Sequence, residues 1–204
     1  MFLVVLFPVS CPVCGGPGAA PCPSCAAQLL PAPPLPCPAG LDACVAVLSY
    51  DGVGRELVAR LKYRANRAAL ASVAAAMARR VEPHDVDVVT WVPTSSQRRH
   101  RRGFDHAELL ARAIARALGL PCRSLLRRRP GPPQTGRSLV ERRRGPAFDV
   151  RRDVSRPSPA RVLLVDDVVT SGASVTAAAL ALRAAGAAEV RAVVAARTPP
   201  KVRH

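Results

Sequence analysis

The sequence predicts an α/β protein, with a parallel β-sheet flanked by helices, preceded by a small cysteine-rich module. Short β-branched apolar runs alternate with Ala- and Leu-rich segments of helical period through residues 41–200, and this alternation is typical of a parallel sheet. The first 25 residues instead hold two pairs of cysteines with C-x2-C spacing. We therefore divide the chain into an N-terminal arm, module and linker at 1–40 and a main domain at 41–200.

The composition indicates a folded protein with an anionic partner. A chain of 204 residues can bury one substantial core, and a hydrophobic content of 49% excludes wholesale disorder. Aromatic residues make up only 3%, so stacking on nucleobases is not a leading theme. The formal net charge is +16, and residues 98–144 hold 14 arginines. This cluster suits pyrophosphate, a phosphosugar or nucleic acid, and charge alone does not choose among them.

Residues 1–9 are almost entirely apolar but too short to span a bilayer. No basic segment precedes them, and no cleavage site of the signal-peptide type follows them. We interpret them as an arm that packs on the body of the protein or on a partner chain, the second case giving an oligomer. We expect a cytoplasmic protein without membrane contact. Seven cysteines, an odd number without a secretion signal, argue against a disulfide framework.

The cysteine-rich module is predicted to bind structural zinc. Each C-x2-C pair turns two thiolates toward one point, and four thiolates form a tetrahedral zinc site; the four are Cys11, Cys14, Cys22 and Cys25. So small a module needs such a staple to hold its shape. The alternative is a set of free thiols in a Pro-rich leader. Cys37 and Cys44 lack the spacing and are left out of the metal set, as buried small side chains or remnants of a second site.

A Pro-rich linker at 31–39 is expected to be extended and without regular hydrogen bonding. Beyond it, periodicity and turn residues predict the elements of the main domain. The predicted strands are 43–50, 86–92, 124–128, 162–165 and 189–196. The predicted helices are 53–63, 68–81, 107–118 and 173–185. Residues 129–161 show no sustained periodicity and are interrupted by prolines, which favours a mobile lid over a charged substrate.

The stretch 161–174 carries the most information about function. A strand buried on both faces, 162–165, runs into Asp166 and Asp167, then into small and hydroxyl-bearing residues, then into a helix. Such a loop at a helix N-terminus favours phosphate; it comprises Thr170, Ser171, Gly172, Ala173 and Ser174. The carboxylates suit hydroxyl groups or a divalent cation. Together the two features describe a phosphorylated sugar, the plainer alternative being a strand end with an ordinary helix cap.

A second anion site is predicted after the strand 86–92, at the same edge of the sheet. Its hydroxyls are Thr94 and Ser95, and the arginines that follow are Arg98, Arg99, Arg101 and Arg102. Lys62, the one lysine before the C-terminal tail, is a further candidate phosphate contact at the end of its helix, the alternative being a solvated helix end.

The stretch 161–174 resembles the phosphoribosyl-pyrophosphate (PRPP) motif of type I phosphoribosyltransferases. The whole chain is similar to the ComF family, which has an N-terminal zinc module followed by such a domain. The similarity includes the cysteine pairs, Leu61-Lys62-Tyr63-Arg64, Val92-Pro93-Thr94, Arg102-Gly103-Phe104, and Gln134 with Arg142 and Arg143. The chain departs from the pattern at Asp105-His106, where Asn-Gln is commoner and where a charge is expected to affect the choice of base or partner, and at Ser171, where Thr is commoner.

The resemblance implies a transferase that binds PRPP with Mg²⁺ and transfers its pentosyl group. Asp166 and Asp167 would hold the ribose hydroxyls, and the loop 170–174 the 5′-phosphate. The arginine cluster would stabilise departing pyrophosphate, while Gln134, Arg142 and Arg143 would belong to the lid. No general base is evident and the acceptor is unassigned.

Two other functions stay open at the level of sequence. The resemblance links family members to DNA uptake, so the zinc module and the Arg-rich segment would serve single-stranded DNA or the competence machinery, with the PRPP pocket unused in catalysis. Binding of that kind depends steeply on salt. The third alternative is a zinc-bearing scaffold whose arm at 1–9 docks a partner.

Overall fold

A parallel sheet of four strands forms the centre of the fold. The computed structural model describes residues 10–34, 36–61, 67–129, 146–151 and 160–200. The strands of the sheet are β1 (Ala43–Ser49), β2 (Val88–Trp91), β5 (Arg161–Val169) and β6 (Glu189–Arg197). Their order is β1–β6–β5–β2, and all neighbours are parallel, which confirms the predicted fold class. A smaller antiparallel pair joins β3 (Leu126–Arg128) to β4 (Phe148–Val150).

Helices cover both faces of this sheet. They are α1 (Pro23–Ala26), α2 (Gly52–Arg60), α3 (Arg67–Ala78), α4 (Ser96–Arg102), α5 (His106–Leu118) and α6 (Ala173–Ala184), with a 3-10 turn at Pro83–Asp85. Helices α2, α3 and α5 pack on one face, and α6 packs with the β3–β4 pair on the other. Among the described residues, every helix is too short or too polar to cross a bilayer.

The apolar character of β5 follows from its place between these layers. Leu163 and Val165 pack toward α5 in one buried cluster, and Val162 and Leu164 pack toward α6 in the other. All four side chains are at most 3% exposed. Burying an aliphatic side chain contributes about 2 kcal/mol, so the chain gains stability from both faces of this one strand.

The strand β5 is longer than predicted, because it continues through the acidic pair to Val169. Its pairing with β6 persists at Asp166 opposite Val194 and at Val169 opposite Arg197. The apolar run 162–165 does not reveal this extension, because the hydrogen bonds that pair strands come from the backbone and leave no pattern in the side chains. The strand β4 was not predicted, because it lies in the stretch 129–161 without sustained periodicity and its pairing with β3 joins residues distant in the sequence.

The Pro-rich linker makes regular contacts that its sequence did not predict. The N–H of Ala32 donates to the Val47 carbonyl at 3.2 Å, and the N–H of Ser49 donates to the Leu30 carbonyl at 2.9 Å. Pro31 thereby lies opposite Leu48 in an antiparallel bridge. Proline is tolerated at such an edge position because its missing donor faces away from the ladder. The linker therefore covers the outer edge of β1.

Candidate functional site at the carboxyl edge of the sheet

The carboxyl ends of three parallel strands meet at one edge of the sheet. The N–H of Val92, just after β2, donates to the Val165 carbonyl of β5 at 2.9 Å. The N–H of Thr198, just after β6, donates to the Val169 carbonyl at 3.0 Å. The segments that follow β2, β5 and β6 are thus neighbours, and this edge is where ligands of parallel α/β sheets bind.

The connection between β5 and α6 has the form of an anion-binding loop. It consists of Thr170, Ser171 and Gly172, with both hydroxyl residues exposed. Gly172 precedes the helix with a φ of 78°, in the left-handed region that glycine adopts without strain. The first N–H groups of α6, from Ala173 and Ser174 onward, point out of the helix end. Several donors and the positive end of the helix dipole therefore face one place.

The two carboxylates of β5 lie immediately before this loop. Asp166 Oδ1 accepts the N–H of Asp167 at 2.8 Å, and Asp167 Oδ1 accepts the N–H of Val168 at 2.7 Å. Burial raises the pKa of Asp166 well above its usual range, and the nearby carboxylates of Asp167 and Asp105 raise it further. Donors such as ribose hydroxyl groups would relieve this cost, because hydrogen bonds to a carboxylate favour its charged form.

Asp105 fixes the loop that follows β2 to the start of α5. Its carboxylate is 4% exposed and accepts the N–H of Thr94 at 2.8 Å and that of Ala107 at 3.2 Å. Burial raises its pKa, while these backbone donors lower it. Asp105 is thus a buried helix cap that positions Thr94, and its effect on the choice of base or partner stays a prediction. Its pattern with Glu108, three residues on, is the signal that was available in the sequence.

The arginine cluster lies on a helix, not on the loop that the sequence predicted. Helix α4 spans Ser96–Arg102 and carries Arg98, Arg99, Arg101 and Arg102. Its N-terminal end follows Thr94 and Ser95, so the cluster adjoins the loop after β2. Arg99 is exposed and reaches Glu108 of α5 at 3.7 Å. The remaining predicted contacts, Lys62, Gln134, Arg142, Arg143 and the arm at 1–9, lie outside the described residues.

Arg197 is a buried cation at this edge that sequence reasoning missed. It is 5% exposed at the end of β6, and its Nη2 donates to the Pro36 carbonyl of the linker at 3.3 Å. Burial raises the pKa of Cys37, and raises that of Cys44 to about 11, while the Arg197 guanidinium opposes both shifts. Its burial and its contact with Pro36 depend on residues distant in the sequence, so no local pattern distinguishes Arg197 from the other arginines of the chain.

The four cysteines of the module come together as the spacing predicts. All four Sγ atoms lie within 4.8 Å of one another, and Cys14 and Cys22 are 3.7 Å apart. A tetrahedron with Zn–S bonds of about 2.3 Å has edges of about 3.8 Å, so the set fits zinc. The tight turn closes through the N–H of Gly15, which donates to the Cys11 carbonyl at 2.9 Å. Cys37 and Cys44 are not part of this cluster.

The thiols of this cluster differ in their readiness to ionise. The backbone N–H groups of Cys14 and Cys22 lower the pKa of Cys11 to about 6, whereas burial and the neighbouring thiols raise that of Cys25 to about 12. Deprotonating all four thiols at one place is costly because the negative charges repel one another, and a bound cation would offset that repulsion. This is the behaviour of a structural metal site, in which the metal displaces the protons.

Comparison with known proteins finds a family similarity in the C-terminal part of the chain. Residues 104–204, just under half of the chain, match the family described as phosphoribosyl transferase domain. This match includes α5, β5, the loop 170–172 and β6. No curated protein matches the chain. The C-terminal part of the chain is thus similar to phosphoribosyltransferase domains.

Several solved structures resemble the chain more loosely. A glutamine PRPP amidotransferase from B. subtilis, complexed with ADP and GMP, is 27% identical over 68% of this chain, with a TM-score of 0.41. The chain spans only 26% of that protein. A purine phosphoribosyltransferase from Pyrococcus horikoshii Ot3 is 15% identical over 66% of this chain and 93% of its own, with a TM-score of 0.41. An orotate phosphoribosyltransferase from Aeropyrum pernix is 24% identical over 69% of this chain and 62% of its own, with a TM-score of 0.40.

The cysteine cluster predicts stoichiometric zinc in the purified protein. Replacing one ligand, Cys25→Ser, removes a buried thiolate, so zinc content by mass spectrometry should fall to near zero and the melting temperature should drop. Cys37→Ser is the matched control, because Cys37 is exposed and outside the cluster. Equal loss of zinc in both variants, or a wild-type protein that takes up no zinc, would contradict the assignment.

The raised pKa of Asp166 predicts a pH-dependent stability in the ligand-free protein. Above the unfolded-state pKa of about 4, the folded chain retains a proton that the unfolded chain has released, so stability falls as pH rises toward the folded pKa. Each pKa unit is worth about 1.4 kcal/mol, or about 3 °C in melting temperature for a chain of this size. Asp166→Asn should therefore melt higher than wild type at pH 7 and show a flatter profile from pH 4 to 8.

The control for this profile is Glu56→Gln, which alters an exposed carboxylate on α2. It should follow the wild-type curve. If Asp166→Asn lowers the melting temperature at pH 7, the carboxylate contributes to stability and the stated cost of its burial is wrong.

Proposed function

We propose that this protein transfers a phosphoribosyl group from PRPP, bound with Mg²⁺ at the carboxyl edge of the sheet. One observation carries the proposal. The part-buried pair Asp166 and Asp167 lies near the end of the central strand, which leads into the Gly172 loop and the start of α6. Groups that accept hydrogen bonds from hydroxyls and groups that donate hydrogen bonds to phosphate therefore lie side by side, within the residues that match the family.

The donor sugar would be held at two points. The carboxylates of Asp166 and Asp167 accept hydrogen bonds from the ribose 2′- and 3′-hydroxyls. The 5′-phosphate accepts from the N–H groups and hydroxyls of Thr170, Ser171, Gly172, Ala173 and Ser174. With both ends of the ribose fixed, its C1 atom is held in one position relative to the acceptor, which lowers the entropic part of the barrier.

The reaction breaks the C1–O bond of PRPP and forms a bond from C1 to the acceptor, and the electron pair of the broken bond leaves with pyrophosphate. The negative charge on pyrophosphate would be stabilised by the donors after β2 and by the cations beside them. The donors are Thr94 and Ser95, and the cations on α4 are Arg98, Arg99, Arg101 and Arg102. Lys62, outside the described residues, is proposed as a further cation on sequence grounds. Asp105 serves this group indirectly, because it holds Thr94 in place.

Mg²⁺ would enter with the substrate. This ion keeps several waters and is usually bound through phosphate oxygens with one or two carboxylates. Among the described residues, this edge holds no group of three or more His, Cys, Asp or Glu side chains that could bind a metal ion. An ion bound mainly through the pyrophosphate oxygens fits this arrangement. Its chemistry there is to neutralise charge on the leaving group.

The finer assignment is a ComF-like protein with an unidentified acceptor, located in the cytoplasm. It rests on the resemblance of the full chain and on the cysteine cluster that precedes the domain. A second function is single-stranded DNA binding in support of DNA uptake. The exposed arginine of α4, the net charge of +16 and the zinc-type cluster favour it.

Calorimetry of the zinc-replete protein with PRPP and Mg²⁺ tests the proposal. We expect binding that the double variant Asp166→Asn, Asp167→Asn weakens at least about 100-fold, since hydrogen bonds to charged groups are worth about 1.5–3 kcal/mol each. Glu56→Gln should bind as wild type does, because Glu56 is exposed on α2 and pairs with Arg60.

Competition between PRPP and a single-stranded oligonucleotide separates the two functions. PRPP binding by the wild type that the double variant retains would overturn the ribose assignment. Absence of PRPP binding, together with oligonucleotide binding that falls steeply with salt, would favour the second function.

A further inference from the structure

The linker does more than connect the two parts of the chain, because its second half packs against the loop that follows β5. Residues 36–42, here called the strap, run from the carboxyl edge of the sheet along α6. At the far end, the Asp42 carboxylate accepts the N–H of Val190 at 2.8 Å and pairs with Arg183 of α6. Gly40 lies so close to α6 that a Cβ there would be 3.1 Å from Leu180 Cδ2. The strap is therefore held firmly at this end.

At the carboxyl edge, the strap is held by Arg197. The guanidinium of this buried residue donates through Nη2 to the Pro36 carbonyl at 3.3 Å. The backbone of Arg197 lies opposite Val169, the last residue of β5, in the sheet register. The next residue, Thr198, donates its N–H to the Val169 carbonyl. Arg197 is thus joined to the strap and also to β5, the strand that leads into residues 170–172, here called the phosphate loop.

Two residues after Pro36, the strap contacts the phosphate loop itself. A Cβ built on Gly172 would lie 3.3 Å from Pro38 Cγ and 3.4 Å from Pro38 Cβ. Gly172 is also the residue whose φ of 78° turns the chain into α6. The proline ring therefore forms a wall behind the glycine on which the loop's shape depends. A rigid ring at this place limits the conformations open to the loop.

We infer that Arg197 is a positioning residue for the ribose 5-phosphate end of the substrate, acting through Pro36 and Pro38 on the loop at Gly172. This inference rests on the proposed function and adds a role for the linker, which the family match at 104–204 does not include. A preordered loop binds phosphate more tightly, because less conformational entropy is lost on binding. The effect is confined to the phosphate end, since the pyrophosphate contacts follow β2.

The test measures binding of ribose 5-phosphate and of pyrophosphate with Mg²⁺ to the full-length, zinc-replete protein. Arg197→Met, which loses both the charge and the donor to Pro36, should weaken ribose 5-phosphate about 10-fold, the value of one charged hydrogen bond. Pyrophosphate affinity should change less than about twofold, within the variation of surface substitutions. Arg197→Lys, which keeps a charge and one donor, should recover most of the affinity.

Matched controls distinguish positioning from general loss of stability. Arg191→Met alters the same strand at its opposite end, where Arg191 pairs with Asp85 and Glu189; it should bind both ligands as wild type does. Pro38→Gly removes the ring behind Gly172 and should weaken ribose 5-phosphate binding as Arg197→Met does. If Arg197→Met fails to fold, Pro38→Gly takes its place in the test. Pro34→Gly, an exposed proline of the same linker, should have no effect.

Three results would overturn the inference. The first is ribose 5-phosphate binding by Arg197→Met and Pro38→Gly within about twofold of wild type. The second is equal loss of ribose 5-phosphate and pyrophosphate. The third is equal loss in Arg191→Met. If the wild type binds neither ribose 5-phosphate nor PRPP, the proposed function fails instead. In that case, amide hydrogen exchange of residues 170–176 in the ligand-free protein still tests the inference. The inference predicts faster exchange in Arg197→Met than in Arg191→Met, and equal exchange would overturn it.

Discussion

The rest of the structure depends on two carboxylates at the end of a strand that is buried on both faces. Because β5 is covered by helices on each side, its acidic end lies in a position where charge is costly, and burial raises the pKa of Asp166. The free protein therefore carries an unfavourable interaction that ligand hydroxyls or positive charge would relieve. Neighbouring strands bring donors to the same edge, with Asp105 fixing Thr94 on one side.

The N-terminal part of the chain is built into this arrangement. The cysteine cluster gathers thiols whose protons a metal would displace, and the chain then pairs along the open edge of β1 at Pro31. It continues to Pro36, which Arg197 holds, and to Pro38 beside Gly172. One continuous segment thus connects the module, the edge of the sheet and the loop 170–172, and its described residues, 27–34 and 36–42, lie outside the named strands and helices.

The sequence predicted those features that depend on local order. The parallel sheet, helix α5 and the gathering of the four cysteines follow from periodicity and spacing. The cap formed by Asp105 was missed although its pattern with Glu108 is local. Features set by distant contacts were not predicted: the pairing of Pro31 with Leu48 and the role of Arg197. In the last case, one arginine among 28 carries no local signal, since burial at the end of β6 depends on residues more than a hundred positions away.

The central claim is that phosphorylated ribose binds across the acidic pair and the loop after β5. A crystal structure of the zinc-replete protein with ribose 5-phosphate tests it most directly. The account predicts ribose hydroxyls within hydrogen-bonding distance of the Asp166 and Asp167 carboxylates and the phosphate on the N–H groups that follow Ser171. Phosphate bound on α4 instead, with the acidic pair unchanged, would contradict the account.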